Sequence, residues 1–374
     1  MLEALSAEIK QVESVPEIAC QPLSRHELAT QLELQDFPQY LLDGICQSNW
    51  FSIGDKRIVF EEVHQPQPQT NKLIVISDFD DTILDTTKWH KQELQILENM
   101  FGIPQPTSKR LYEASKIFIK GKASKETRYT PKLNLILIEK YLQLKSNLDE
   151  DQIWPKLQEY IDLILDKDNI EMFIRNIPID PRILKMFKEN NTQNFVHENF
   201  VSKIFNDQNS IPKIIASRGK IEGPLGQIWK IHQSGISKKT NIIMYTNDLK
   251  TEVLDIAPKL FPSSNQKIII YEDNPTEIDD YDKHICKHPT STCLFGIVHV
   301  RHCESKRRDK NSTEAPIFRT DGRIDISHTI GDTLPQTNET IYDIHLPQTR
   351  QEKFGPIQEL IADIPHIRVR TIPY

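Results

Sequence analysis

The chain has 374 residues, 38% hydrophobic and 26% charged, enough for two or three structural units at ~150 residues each. Twelve glycines exclude a glycine-rich or collagen-like chain, and 53 acidic against 46 basic residues exclude a global cationic field that would hold nucleic acid non-specifically. No apolar run approaches the ~18 residues of a membrane span, the stretch from Met1 to Glu8 lacks a signal-peptide layout, and five scattered cysteines (Cys20, Cys46, Cys286, Cys293, Cys303) point to a reducing, cytoplasmic setting.

In chain order, residues 1–47 read as largely helical. Ser24 and Glu27 have the spacing of a capping box, Leu28, Ala29 and Leu32 then share a helical face, and Pro38 ends or restarts the helix. Trp50 to Phe60, around Gly54 and Asp55, reads as a hairpin. The stretch from Gln65 to Thr70 is a polar Pro/Gln linker, so 1–70 is set apart as an accessory N-terminal segment.

Four short apolar runs follow, at Leu73–Ile76, Ile214–Ala216, Ile242–Tyr245 and Ile268–Tyr271. Each is unbroken instead of alternating, the pattern of strands buried on both faces of a parallel sheet. Helical spacing over Leu225 to Gln233 and Leu249 to Leu260 separates the last three. The pattern predicts an α/β fold with a doubly wound, mostly parallel Rossmann-like sheet. Leu294 to Val298 is a candidate fifth strand. The gap between the first two strands is far longer than one crossover helix needs. Segments 133–142 and 153–165 carry helical spacing, so a helical domain is expected to be inserted there. Beyond 304 a charged loop, Lys306 to Lys310, precedes a second possible hairpin over Ile317 to Ile326. No internal repeat is present.

Acidic residues stand at the ends of these runs, where open α/β sheets bind ligands. Asp78 and Asp80 follow the first, two residues apart and able to converge on one point. Ser217 and Arg218 follow the second. Lys250 opens the helix after the third, and Glu272 and Asp273 end the fourth. Clustered carboxylates are tolerable around a divalent cation such as Mg²⁺, which takes oxygen ligands. A lysine and a hydroxyl suit the oxygens of a transferring phosphoryl group. These residue types together point to Mg²⁺-assisted phosphoryl transfer.

The order Asp78, Asp80, Thr82, then Ser217, Lys250 and the Glu272–Asp273 pair resembles the haloacid dehalogenase-like superfamily over about residues 71–303. The resemblance implies that Asp78 is the nucleophile and forms a phospho-aspartyl enzyme. It implies that Asp80 protonates the leaving oxygen and then deprotonates water. Mg²⁺ would be held by the Asp78 carboxylate, the Asp80 main-chain carbonyl and Asp273, with Glu272 ranked below. Ser217, Lys250 and, with less defined roles, Thr82 and Arg218 would bind the phosphoryl group. An aspartate at the Asp80 position is typical of the phosphatases of that family. The implied layout is a catalytic core of 71–85 and 206–303, an inserted helical cap of 86–205 and a C-terminal segment of 304–374.

The expected activity is phosphomonoester hydrolysis. The alternatives are a polynucleotide end-processing phosphatase and an effector or phosphoprotein-directed module on the same core. Residues 109–132 hold eight basic side chains, among them Lys120 and Lys122. They could attract an anionic substrate or nucleic acid, though a solvated helix face is the preferred reading. His284, Cys286, His288, Cys293, His299, His302 and Cys303 lack the paired Cys spacing of zinc sites. They are read as ordinary core and strand residues.

Overall fold

A computed structural model describes residues 20–31, 49–53, 58–63, 73–120, 125–129, 131–165, 177–205, 211–218, 225–246, 249–262, 266–287, 294–300, 324–327, 342–347 and 367–372. The chain opens with β1 (Cys20–Pro22), α1 (Arg25–Gln31), β2 (Asn49–Ile53), β3 (Ile58–Glu62) and β4 (Leu73–Ser77). An insertion follows, with α2 (Thr86–Phe101), α3 (Gln105–Ala114), the strands β5 (Lys116–Lys120) and β6 (Lys125–Tyr129), then α4 (Pro131–Lys145), α5 (Glu150–Leu165), α6 (Pro181–Glu189) and α7 (Glu198–Ile204). The chain then alternates: β7 (Lys213–Arg218), α8 (Leu225–Gln233), β8 (Ile242–Thr246), α9 (Val253–Leu260), β9 (Lys267–Glu272), α10 (Pro275–Lys287) and β10 (Leu294–His299). Last come β11 (Ile324–Ser327), β12 (Tyr342–Pro347) and β13 (Ile367–Ile372).

Nine strands form one sheet in the order β1-β2-β3-β8-β7-β4-β9-β10-β11. From β8 to β11 every pairing is parallel, and β1, β2 and β3 add on antiparallel beyond β8. The apolar runs are unbroken because both faces are covered. Leu73, Val75, Ile215, Ile243, Ile269 and Val298 face one core with the inserted helices, α1 and α8. Their neighbours Ile74, Ile76, Ile214, Ala216, Ile242, Met244, Ile268 and Ile270 face a second core with α9 and α10. Helices before β8 thus lie on one face and those after it on the other, which is the doubly wound α/β arrangement. Chain order reverses between β4 and β9, and open α/β sheets bind ligands beyond the carboxyl ends of their strands at such a point.

Ser24 and Glu27 do form a capping box: Ser24 N donates to Glu27 Oε2 at 2.8 Å and Glu27 N donates to Ser24 Oγ at 3.3 Å. Three expectations change. The Trp50–Phe60 hairpin is not set apart from the core, because β3 runs antiparallel to β8 and extends the main sheet. The insertion is not wholly helical, since β5 and β6 pair antiparallel inside the basic segment and take it off a single helix face. The 249–260 helix begins as a 3-10 turn at Lys250–Glu252 before α9. The strand Ile324–Ser327 pairs parallel with β10, while Ile317–Phe318–Arg319 lie outside the described residues.

Candidate active site

Asp78 follows β4, Glu272 closes β9 and Asp273 follows it, so the strand order itself brings the three carboxylates to the reversal point. Asp78 N donates to Tyr271 O at 2.9 Å, which locks the two strand ends in register. All three side chains are buried, and one oxygen from each lies within 4.8 Å of the others. Lys250 reaches in from the 3-10 turn after β8. Its Nζ is 2.7 Å from Asp78 Oδ1 and 2.8 Å from Glu272 Oε2, and it also contacts Glu277 Oε2 from α10. Burial works against the lysine's charge, but Asp78 and Glu272 outweigh it and raise its pKa above the ordinary value. Glu272 is pushed up by burial and by the Asp78 charge, against the pull of Lys250. One ammonium therefore does not relieve the crowded carboxylates. An all-oxygen donor set with residual repulsion fits a hard divalent cation such as Mg²⁺. Asp78 and Asp273 are the better placed for it, because Glu272 spends Oε2 on Lys250 and Oε1 on the N–H groups of Asp273 and Asn274, at 3.2 and 3.1 Å.

Asp80 stands on the next turn of chain. Asp81 after it holds φ of 56°, a left-handed conformation that Asp tolerates when its side chain bonds locally. Here Thr86 N donates to Asp81 Oδ1 at 3.2 Å, and Asp81 N donates to Thr86 Oγ1 at 3.1 Å. Helix α8 grips the Asp80 carboxylate. Lys230 Nζ lies 2.5 Å from Oδ1 and Gln227 Nε2 donates to Oδ2 at 2.6 Å, while Thr86 Oγ1 donates to Oδ1 at 3.1 Å. Burial pushes the Asp80 carboxyl up, but the charge and hydrogen bond of Lys230, with that of Gln227, carry it down to about 2. The side chain is still 32% exposed, so solvent can reach it.

Of the remaining predicted residues, Ser217 ends the buried part of β7, and its Oγ accepts from Gln227 Nε2 at 2.9 Å. Thr82 Oγ1 donates to Asp273 Oδ1 at 3.4 Å, a contact that orients a candidate metal ligand. Arg218 Nη1 is 3.6 Å from Glu277 Oε1, so Glu277 spans Arg218 and Lys250. Sequence reading missed Glu277, Gln227 and Lys230. The signal for the first was an acid four residues after Asp273, and for the others a polar pair at i, i+3 set among Ile228, Trp229 and Ile231.

In the basic segment, Arg110 lies 3.8 Å from the centre of the Trp154 ring, Lys116 pairs with Glu113 at 2.8 Å, and Lys132 is buried. The side chains of Lys120 and Lys125 and all of Lys122 lie outside the described residues. His284 Nε2 is 3.1 Å from Asp255 Oδ1. His288, Cys293, His302 and Cys303 lie outside the described residues, as do the side chains of Cys286 and His299. No helix among the described residues is long and apolar enough to cross a membrane.

Fold and site together define a Rossmann-like α/β protein with a buried acidic cluster around a lysine, at the topological switch of its sheet. The strand order brings Asp78, Lys250, Glu272 and Asp273 together at one end of the sheet. Solved structures similar to the chain include a haloacid dehalogenase-like hydrolase from Burkholderia xenovorans (14% identity over 61% of this chain and 84% of that one, TM-score 0.34). The HAD-hydrolase YfnB from Bacillus subtilis, bound to magnesium, is also similar (14% identity, 60% of this chain and 86% of that one, TM-score 0.33). So is a haloacid dehalogenase-like hydrolase from Xanthomonas campestris (12% identity, 63% and 88%, TM-score 0.28). No protein-family model matches the chain, and no curated protein matches it.

Proposed function

We propose that the chain is a Mg²⁺-dependent hydrolase of the haloacid dehalogenase-like type that cleaves a phosphomonoester through a phospho-aspartyl intermediate. The observation that carries this reading is the buried Asp78–Lys250–Glu272–Asp273 cluster at the strand reversal, with Asp80 beside it. Asp78 and Asp273, with the Asp80 carbonyl, would hold the ion, which supplies positive charge against the phosphoryl oxygens.

An Asp78 oxygen forms the bond to phosphorus as the bond to the leaving oxygen breaks. Lys250 and Ser217 stabilise the phosphoryl oxygens as charge spreads over them. Water then attacks phosphorus, the Asp78–phosphorus bond breaks, and Asp80 accepts the water's proton. Asp80 stands ready for this half, since Lys230 and Gln227 hold it as a carboxylate. The same grip opposes the protonation needed to serve the leaving oxygen, so leaving groups of low basicity suit the site best. Scattered cysteines fit a cytoplasmic setting. The paired positions of Arg110 and Lys116 give no separate ground for a polynucleotide substrate.

The test is Asp78→Asn, assayed with Mg²⁺ on phosphorylated metabolites, one 3′-phosphorylated oligonucleotide and one phosphopeptide. Phosphate release falls to background while the melting temperature stays within a few degrees, because Lys250 keeps Glu272 and Glu277 as partners. Substantial residual turnover in a folded variant sinks the mechanism.

A further inference from the structure

Lys230 is a charged residue that an amphipathic surface helix would ordinarily turn to solvent. Here its side chain is 8% exposed, and its ammonium lies 5.4 Å from the centre of the buried Trp89 ring with Asp80 as its ion-pair partner. Burying an ammonium is costly unless its partner geometry is good, and this one is aimed at a carboxylate of the candidate reaction centre. Gln227, one helical turn earlier, points the same way and divides its amide between Asp80 Oδ2 and Ser217 Oγ, at 2.6 and 2.9 Å. With Thr86 on Oδ1, both Asp80 oxygens are fixed by donors from two elements. The helix carrying the grip is itself pinned. Trp229 Nε1 donates to Phe187 O at 2.9 Å, and Gln233 Oε1 accepts from Thr192 Oγ1 at 2.9 Å.

We propose that Lys230 and Gln227 are positioning residues that hold the Asp80 carboxylate in the orientation from which it deprotonates the hydrolytic water. This rests on the phosphatase reading above. In the step they serve, the water oxygen bonds to phosphorus and one water proton passes to Asp80. The bond between phosphorus and the Asp78 oxygen breaks, phosphate leaves with the Asp78 carboxylate restored, and the proton then passes to solvent. A misoriented Asp80 slows this half more than the first, provided the leaving group needs no proton.

The test uses the full chain with Mg²⁺ and 4-nitrophenyl phosphate, whose leaving oxygen needs little protonation, followed by rapid mixing. Lys230→Met is expected to release close to one equivalent of nitrophenolate in a burst. Steady turnover then runs about 10²-fold slower than in the unaltered protein, the scale of a lost general base. Acid-quenched protein carries correspondingly more phosphoryl-aspartate. Lys230→Arg restores part of the steady rate. Gln227→Leu gives the same split and serves as the second variant if Lys230→Met does not fold. Burst and steady phases falling together, or neither changing, overturns the proposal, because a merely structural ion pair has no reason to separate them. If the unaltered protein releases no nitrophenolate, it is the phosphatase reading that fails. The orientation claim is then decided by crystals of Lys230→Met: Asp80 keeping its place and its Gln227 bond overturns it, and Asp80 swinging away supports it.

Discussion

Asp80 shows how far a single residue's chemistry depends on what surrounds it. Its ordinary carboxyl pKa is 3.8, burial alone would raise it, and Lys230 with Gln227 reverses that to about 2. A folded-state pKa below the unfolded one means that the native state holds fewer protons. The Asp80 contribution to stability is therefore fully present above pH ~4 and is lost as pH falls from there through about 2. Lys230→Met removes the largest opposing influence and leaves Gln227 and Thr86 against burial. The Asp80 titration midpoint should then rise, read by carboxyl-carbon NMR without divalent ions. A midpoint still near 2 would show that Lys230 is not what holds the carboxylate ionised. The same residue explains a gap in the sequence reading. Asp78, Asp80, Lys250 and Asp273 were legible because each stands just past an apolar run. Lys230 and Gln227 lie inside a helix, and Glu277 in the first turn of one, where ordinary amphipathic spacing hides them.

At the scale of elements, α8 works on two neighbours at once. Lys230 faces Asp80, and His232 Nε2 stands 3.0 Å from Glu61 Oε2 on β3, with Tyr245 OH of β8 3.4 Å from the same oxygen. Glu61 is fully buried, and burial together with the Glu61 charge pushes the Tyr245 hydroxyl pKa well up. Glu61→Ala leaves a buried tyrosine hydroxyl without this acceptor, while the partly exposed His232 can turn to water. The expected loss is about 1–3 kcal/mol in urea unfolding. A change under about 0.5 kcal/mol, the range of a surface substitution, would mean that the N-terminal strands are not tied to the core through this contact. The parallel strands and α8 were readable because burial on both faces leaves unbroken apolar runs and one face leaves 3.6-residue spacing. Attachment of β3 to β8 was not readable. It pairs Glu61 with Ile243, far apart along the chain, and no local pattern encodes such a pairing. The β5–β6 pair inside the insertion was not readable because its five-residue strands carry Lys116, Lys120, Lys125 and Arg128, and that charge masks any apolar alternation.

At the scale of the whole molecule, the insertion and the sheet share a core. Phe79, Val75, Ile215, Ile243 and Ile269 from the sheet side belong to one buried cluster with Trp89, Leu97, Leu133, Leu137 and Phe187 from the insertion. Phe187 of the insertion stacks on Trp229 of α8 at 6.3 Å, and within the insertion Trp89 stacks on Phe187 at 6.0 Å. Trp89 Nε1 donates to Thr192 Oγ1 at 3.1 Å. Backbone bonds run the same way, since Asp85 N donates to Phe195 O and His197 N to Ile83 O, both at 2.8 Å, bracing the loop that carries Asp80. An insertion that merely sat over the site could be cut away with little cost. Here excision would expose several large apolar side chains, each worth ~1.5–3 kcal/mol when buried, against a total stability of ~5–15 kcal/mol for a domain. Replacing residues 86–205 with a short glycine–serine linker should therefore give a chain with no cooperative thermal transition. A sharp transition with retained α/β circular dichroism would show instead that the sheet, α8, α9 and α10 stand alone. The Asp80 loop would then owe its geometry to the strand ends and not to the insertion.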